Sequence, residues 1–191
     1  LSGGFEMGNI WYNEPKTLDT AFDVIGDIVL SAASQQYGGF TVPSVDYILE
    51  PYAEKSYKKY IEKYLKLGID KETAEAEAYA DVCKEMEQGF QGWEYKFNTV
   101  ASSRGDYPFI TVTAGTATGR FAKLATITML NVRRKGQGKA EHKKPVLFPK
   151  IVFLYDENLH GPGKELEDVF EAGVKCSAKT MYPDWLSLTG K

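Results

Sequence analysis

The chain has 191 residues, of which 43% are hydrophobic and 26% charged, a composition typical of one large or two small globular domains. Its formal net charge of −3 argues against nucleic-acid binding through a general positive field. No apolar run approaches the roughly 20 residues that a membrane helix needs. The two cysteines, Cys83 and Cys176, form no CxxC motif, which excludes a disulfide framework. These features favour a cytoplasmic protein that binds neither membranes nor nucleic acid.

A wide apolar stripe predicts the first helix, which begins near Pro15 and ends before Gly38. Because several members of the stripe are alanines, a second helix could approach closely, and both core packing and contact between subunits remain open. Phe40–Val42, just after this helix, is expected to be a short extended link. The stripe consists of Leu18, Ala21, Phe22, Ile25, Ile28, Val29, Ala32 and Ala33.

Two further helices are predicted in the first half. Helical spacing of apolar and tyrosine residues predicts one helix from Pro43 to Gly68, with a break or kink at Pro51. We expect its tyrosine rings to be buried and their hydroxyls to face water, rather than a surface for single-stranded nucleic acid. Asp70 is a suitable N-cap for the next helix, which we expect to continue to about Val100.

The second half alternates strands and helices. Buried strands are predicted over Tyr107–Thr113 and Val146–Tyr155, with a helix over Arg120–Val132 between them. This order predicts a right-handed crossover with parallel strands. A last helix, Glu165–Lys179, completes a βαβα arrangement. The sequence therefore predicts an α/β fold with a helical first half.

Several further residues could carry chemistry, but each lacks the partners that the chemistry needs. The loop Arg133–Lys144 holds six Lys/Arg residues and one His, but it contains no phosphate-binding P-loop motif, so we expect a flexible basic surface loop. His142 and His160 have no ligand-spaced partners, so we expect no metal site. Cys83 and Cys176 lack an adjacent His–carboxylate pair and are expected to be inert.

Several stretches of the chain share their order and approximate spacing with one enzyme family. Together they resemble the anaerobic (class III) ribonucleoside-triphosphate reductases, which are glycyl-radical enzymes. The resemblance covers nearly the whole chain. The stretches are Glu14–Ala21, Ala33–Gly39, Asn98–Phe109, Lys144–Gly161 and Lys175–Asp184.

The resemblance implies reduction of ribonucleoside triphosphates to deoxyribonucleoside triphosphates under anaerobic conditions. In that family a radical-SAM activase places a radical on a glycine, and the radical passes to a cysteine inside a ten-stranded α/β barrel. The cysteine thiyl then abstracts the ribose 3′-hydrogen. ATP and deoxynucleoside triphosphates act as effectors where helices of two subunits meet, and formate or a thiol system supplies electrons. The implied partners are therefore a second copy of the chain, the activase and nucleoside triphosphates.

The resemblance also suggests roles for parts of this chain. Residues 1–100 would be a helical dimerisation and effector region, and residues 101–191 a part of the reductase barrel. Lys16, at the start of the first helix, is a candidate for binding effector phosphates. A polar turn could transmit effector identity to the substrate, with an Arg guanidinium suited to a phosphate or a base edge, or it could be structural, with that Arg paired to a local carboxylate. The turn consists of Ser102, Ser103, Arg104, Gly105 and Asp106.

The catalytic residues of the family have no counterpart in this chain. Its Asn-Cys element precedes the region matching Leu1, and its thiyl cysteine, in a Gly-Cys-Arg context, follows the region matching Lys191, with the radical glycine further on. Cys83 and Cys176 lie in neither context. Because the chain also starts without Met, we interpret it as an internal segment of a longer enzyme, without cofactor and inactive alone. A non-catalytic nucleotide-binding or dimerisation module and a purely structural fragment are the alternatives.

Overall fold

The computed structural model describes residues 1–101 and 105–190. Within them the chain forms helices and strands in alternation, with most of the helical residues in the first half. In chain order the elements are β1 (Phe5–Met7), β2 (Ile10–Tyr12), α1 (Leu18–Ser34), β3 (Phe40–Val42), α2 (Val45–Lys66), α3 (Lys71–Thr99), β4 (Ile110–Ala114), α4 (Arg120–Lys135), β5 (Lys150–Tyr155), α5 (Glu157–His160), α6 (Glu167–Thr180) and β6 (Asp184–Ser187).

The central sheet is parallel, with the strand order β3-β4-β5-β6. Phe40 of β3 lies opposite Ile110 of β4, and Thr111 of β4 lies opposite Lys150 of β5. A separate antiparallel hairpin joins β1 to β2. The predicted α/β class and the parallel pairing across the α4 crossover are therefore confirmed.

The predicted strands differ from the observed ones in number and length. Phe40–Val42 is an edge strand of the sheet rather than a link, and β6 and the β1–β2 hairpin were not predicted. The strands β4 and β5 start later than predicted, at Ile110 and Lys150. Pro108 lies two residues before β4, and Pro149 lies directly before β5. Because a proline has no N–H to donate to a neighbouring strand, each strand starts after its proline.

The helix α2 differs from the prediction in two respects. The helix α2 continues through Pro51 without a break. The hydroxyl of Tyr60 donates to Glu85, and that of Tyr64 donates to Asp81 Oδ2 at 2.5 Å. These tyrosine hydroxyls therefore join α2 to α3 instead of facing water.

One hydrophobic core joins residues from both halves of the chain. It contains side chains of α1 to α4, α6, β3, β4 and β5. Val82, Met86 and Phe97 of α3 are fully or almost fully buried in it, as are Phe121 of α4 and Phe153 of β5. In the described part of the chain, no helix has both the length and the hydropathy to cross a membrane.

Candidate functional site

A pocket of about 300 Å³ lies between the carboxyl-terminal end of α1 and the segment that leads into β4. Its walls are formed by two stretches, one that precedes β3 and one that precedes β4. The lining residues are Leu30, Ala33, Ser34, Gln36, Tyr37 and Gly38 from the first stretch, and Val100, Ala101, Asp106, Tyr107, Pro108 and Phe109 from the second.

The pairing of β3 with β4 holds the two walls together. The N–H of Phe40 donates to the carbonyl of Phe109 at 2.9 Å. A Cβ on Gly39 would lie 2.9 Å from that same carbonyl oxygen, so only glycine allows this close approach. The Phe109 ring packs edge-on against Phe148, with 5.2 Å between centroids. The pocket therefore rests on main-chain contacts that depend on the sheet.

The described lining combines aromatic rings with uncharged polar groups. Tyr107 and Phe109 are more than half exposed, and ring faces of this kind can stack on a planar base. Ser34 and Gln36 supply hydrogen-bonding groups, and Asp106 supplies a carboxylate. Among the described lining residues there is no Lys or Arg, so phosphate groups would need cations from elsewhere.

The predicted effector residues are only partly within the described region. Asp106 lines the pocket, and Gly105 precedes it with a φ of +84°. Ser102, Ser103 and Arg104 lie outside the described residues. Lys16 is exposed just before α1, at the opposite end of that helix from the pocket, about 24 Å away at 1.5 Å per residue. The structure therefore does not bring Lys16 to the pocket of its own subunit.

The two cysteines lie on different helices. Cys83, on α3, is half-buried, and Cys176, on α6, is buried. Burial raises the pKa of both thiols, which lowers the fraction of reactive thiolate. Within the described residues no three His, Cys, Asp or Glu side chains form a group that could hold a metal ion.

The loop that was predicted to be basic and flexible begins as part of a helix. Arg133 is in the last turn of α4 and is fully buried. Its Nε donates to Glu94 Oε1 and its Nη2 to the carbonyl of Pro149, both at 2.7 Å. Beyond the helix, Gln137 and Lys144 pair as an antiparallel bridge. Arg133 was wrongly assigned to a surface loop, because its buried partner is distant in sequence.

A second cluster lies at the carboxyl edge of the sheet, where β3, β4 and β5 all end. Asp46, Gly115 and His160 follow these three strands and are joined by hydrogen bonds. Asp46 and His160 are each 1% exposed. This cluster was not predicted, because His160 was considered only as a possible metal ligand. The sequence did offer one indication of it, because residues that follow parallel strands lie at the same edge of the sheet.

The family comparison covers the whole chain. The profile described as anaerobic ribonucleoside-triphosphate reductase matches residues 1–191. The chain belongs to this family.

Curated reductases support the assignment at the level of sequence. The anaerobic ribonucleoside-triphosphate reductase of Haemophilus influenzae is 38% identical over 190 residues, which is 98% of this chain and 26% of that protein. The enzyme of bacteriophage T4 is 36% identical over 191 residues, covering 98% of this chain and 30% of its own length. This reductase segment thus spans less than a third of the curated relatives that it matches.

The fold is also found in a solved reductase. The anaerobic ribonucleotide reductase of Thermotoga maritima with citrate in the active site aligns with a TM-score of 0.62 and 16% identity, over 96% of this segment and 32% of that chain. Its complex with dATP and CTP aligns with a TM-score of 0.58. At this identity the likeness establishes the common fold of the reductase segment. The family match confirms the resemblance to anaerobic reductases that the sequence stretches indicated.

Proposed function

We propose that this chain is the part of an anaerobic ribonucleoside-triphosphate reductase that binds effectors and forms the dimer, together with the first strands of the reductase barrel. The full-length protein would reduce ribonucleoside triphosphates to deoxyribonucleoside triphosphates in the cytoplasm. The observation that carries this proposal is the family match over residues 1–191. A radical-SAM activase would generate the glycyl radical, and formate or a thiol system would supply electrons.

We assign no radical step to the residues of this chain. Cys176 is 0% exposed, and Cys83 is half-buried within α3. A cysteine that gives up its S–H hydrogen atom and then, as a thiyl radical, abstracts the ribose 3′-hydrogen must reach the substrate. The thiyl cysteine therefore belongs to another part of the parent enzyme, and this chain alone would not reduce nucleotides.

The pocket beside α1 is our candidate for the effector site. Tyr107 and Phe109 offer ring faces to a base, and Asp106, the last residue of the predicted turn, lines the same pocket. The related Thermotoga reductase was crystallised with dATP and CTP, which supports nucleotide binding by the family. The turn would then sense the effector and, through β4, report its identity to the substrate.

A homodimer through α1 would supply the missing positive charge. The buried side of the apolar stripe, with Ala21 and Val29, packs in the subunit's own core. Val24, Ile28 and Ala32 remain half-exposed, and their spacing of four residues aligns them along one side of the helix. If two α1 helices cross at a twofold axis perpendicular to them, they are antiparallel, and this arrangement would bring Lys16 of the partner subunit toward this pocket.

The dimer can be tested by placing a charged side chain in the apolar stripe of α1. Ile28→Glu should convert a dimer into monomers in light scattering, because it places a carboxylate in an apolar contact. Lys58→Glu, an exposed change on α2, is the matched control and should leave the dimer intact. A dimer that persists with Ile28→Glu would contradict this interface.

The effector role can be tested in the full-length enzyme after anaerobic activation. Arg104→Ala should flatten the effector dependence of base choice by about tenfold or more, the scale of an allosteric coupling of roughly 1–3 kcal/mol. Lys139→Ala removes an exposed cation of the basic loop and should have no such effect. Unchanged effector ratios would make the turn structural. Nucleotide binding without any reduction by the wild type would favour the non-catalytic module.

A further inference from the structure

The main chain of one residue at the carboxyl end of β4, Gly115, is held from both sides by buried side chains. The N–H of Gly115 donates to Asp46 Oδ2 at 2.9 Å. The carbonyl of the same residue lies 2.6 Å from His160 Nε2. Asp46 comes from the first turn of α2 and His160 from α5. Three consecutive strand–helix connections therefore converge on Gly115.

The hydrogen bonds of His160 hold its ring in one orientation. Nε2 lies 2.6 Å from the Gly115 carbonyl oxygen, which can only accept, so Nε2 is the donor of this bond. Nδ1 lies 3.0 Å from both the N–H and the carbonyl oxygen of Asp156. The ring also packs against Phe153 and Tyr155, with centroid distances of 5.0 and 5.5 Å. His160 is thus a donor to Gly115 with a fixed direction.

Both carboxylate oxygens of Asp46 accept hydrogen bonds. Oδ2 also accepts from the Thr126 hydroxyl at 3.3 Å, and Oδ1 accepts from the N–H of Tyr47 at 3.0 Å. In the described part of the chain Asp46 has no ion-pair partner within salt-bridge distance. Its carboxylate therefore accepts only from N–H and O–H groups in the described residues, and these hydrogen bonds hold the start of α2 against β4 and α4.

Gly115 itself has a backbone conformation that other residues rarely adopt. Its φ is +129°, and a Cβ would lie 3.0 Å from the carbonyl oxygen of Leu154 in β5. The turn at residues 115–119 is thereby pressed against the neighbouring strand. The Thr116 carbonyl faces the Tyr47 hydroxyl at 3.5 Å, and Thr118 is exposed on the turn.

We propose that Asp46 and His160 are positioning residues that hold the turn at residues 115–119 against the substrate nucleotide. Ligands of parallel α/β sheets bind at the carboxyl ends of the strands, and this turn ends β4 at that edge. Its exposed Thr118 hydroxyl and main-chain groups would hydrogen-bond the ribose or phosphates. The inference rests on the proposed reductase function and assigns this edge to the substrate, apart from the effector pocket.

The experiment compares two amide replacements of His160 in the activated full-length reductase. A Gln amide reaches the position of Nε2 and keeps a donor for Gly115, whereas an Asn amide reaches only the position of Nδ1. His160→Asn should raise KM for the nucleotide substrate roughly tenfold, the effect of about 1.4 kcal/mol, with kcat and effector ratios little changed. His160→Gln should restore most of the affinity. Asp46→Asn should resemble His160→Asn, and the exposed His142→Asn should match the wild type.

The outcomes separate this inference from the proposed function. Variants with wild-type KM in an active enzyme would overturn the positioning role alone. Parallel losses of melting temperature, kcat and effector response in the Asn and Gln variants would also overturn it, because they indicate a purely structural role. A wild-type full-length protein without reductase activity would contradict the proposed function and this inference with it.

Discussion

Arg133 Nε donates to Glu94 Oε1 at 2.7 Å, and the two side chains are 0% and 5% exposed. The pair joins α4 to α3 inside the protein. Gln137 donates to the second Glu94 oxygen at 2.6 Å, and the Arg133 guanidinium lies over the Tyr182 ring, 5.0 Å from its centroid. Arg133 thus holds α3, α4, the segment before β5 and the segment after α6 in one arrangement.

Removing one partner of this pair should strongly destabilise the chain. Glu94→Leu or Arg133→Met leaves a buried charge without its counterion, which costs about 3–5 kcal/mol of unfolding free energy. The double variant should lose less than the sum of the two single changes, because no uncompensated charge remains. Urea unfolding followed by circular dichroism measures both quantities.

The matched control is an exposed ion pair between the same helices. Lys135 of α4 lies 2.5 Å from Glu87 of α3, with side chains 53% and 39% exposed. Lys135→Met should change the unfolding free energy by no more than about 1 kcal/mol. If Arg133→Met and Lys135→Met lowered the unfolding free energy equally, burial would not be the reason for the larger effect expected at Arg133.

Two glycines of α3 should respond in opposite directions to the same substitution. A Cβ on Gly89 would collide with the Phe22 ring of α1, whereas a Cβ on Gly92 would meet nothing within 4 Å. Gly89→Ala should therefore destabilise the chain by about 1–3 kcal/mol through overpacking. Gly92→Ala should stabilise it by about 0.5–1 kcal/mol, because alanine loses less backbone entropy in a helix.

Thermal unfolding of the two alanine variants provides the test. Both substitutions add the same methyl group to the same helix, so helix propensity cancels between them. A Gly89→Ala protein as stable as Gly92→Ala would mean that α1 and α3 are not in close contact at Phe22. It would also weaken the assignment of α1 and α3 as one packed unit beside the dimer surface.

Local periodicity explains which elements the sequence could predict. The helix α4 was recognised from residues such as Phe121 and Ala125, both fully buried in the structure, because they recur at helical spacing. The parallel order of β4 and β5 followed from the crossover rule. These features depend on residues that are close together in the chain.

The missed features depend on distant contacts. The strand β3 has three residues, too few for a reliable alternation, and it is defined by its pairing with β4. Asp46 and Gly115 are 69 positions apart, and Glu94 and Arg133 are 39 apart. No local pattern reports such pairs, so the buried ion pair could not be predicted, and the carboxyl-edge cluster could be approached only through the rule that residues after parallel strands share one edge.

The two thiols should differ in accessibility and both react slowly in the folded chain. Burial raises the pKa of Cys83 and Cys176, so less thiolate is present at neutral pH. Cys176 is 0% exposed and should react with Ellman's reagent only as fast as the chain opens. Cys83, which is half-buried, should react first.

Single-cysteine variants identify each reacting thiol. Cys83→Ser should leave only the slow phase, and Cys176→Ser should leave only the faster one. In denaturant both variants should react at the same rate. A rapid reaction of Cys176 in the folded chain would contradict its burial on the core-facing side of α6.

The contact between Tyr60 and Glu85 should make the chain sensitive to alkaline pH. Burial, together with the hydrogen bond to Glu85, raises the pKa of Tyr60 above its ordinary value of 10.0. Because the folded state holds this proton more tightly than the unfolded state, stability from the contact is fully present below about pH 10 and is lost as pH rises through the folded pKa.

Tyr60→Phe removes this contribution without removing the ring. The variant should lose about 1 kcal/mol of unfolding free energy at pH 8, and its stability should fall less steeply than that of the wild type above pH 10. Tyr95→Phe, which alters a half-exposed tyrosine on α3, is the control and should keep the steep wild-type decline. Urea midpoints measured across this pH range decide the question. Equal slopes for Tyr60→Phe and the wild type would show that alkaline unfolding begins elsewhere than at the Tyr60–Glu85 contact.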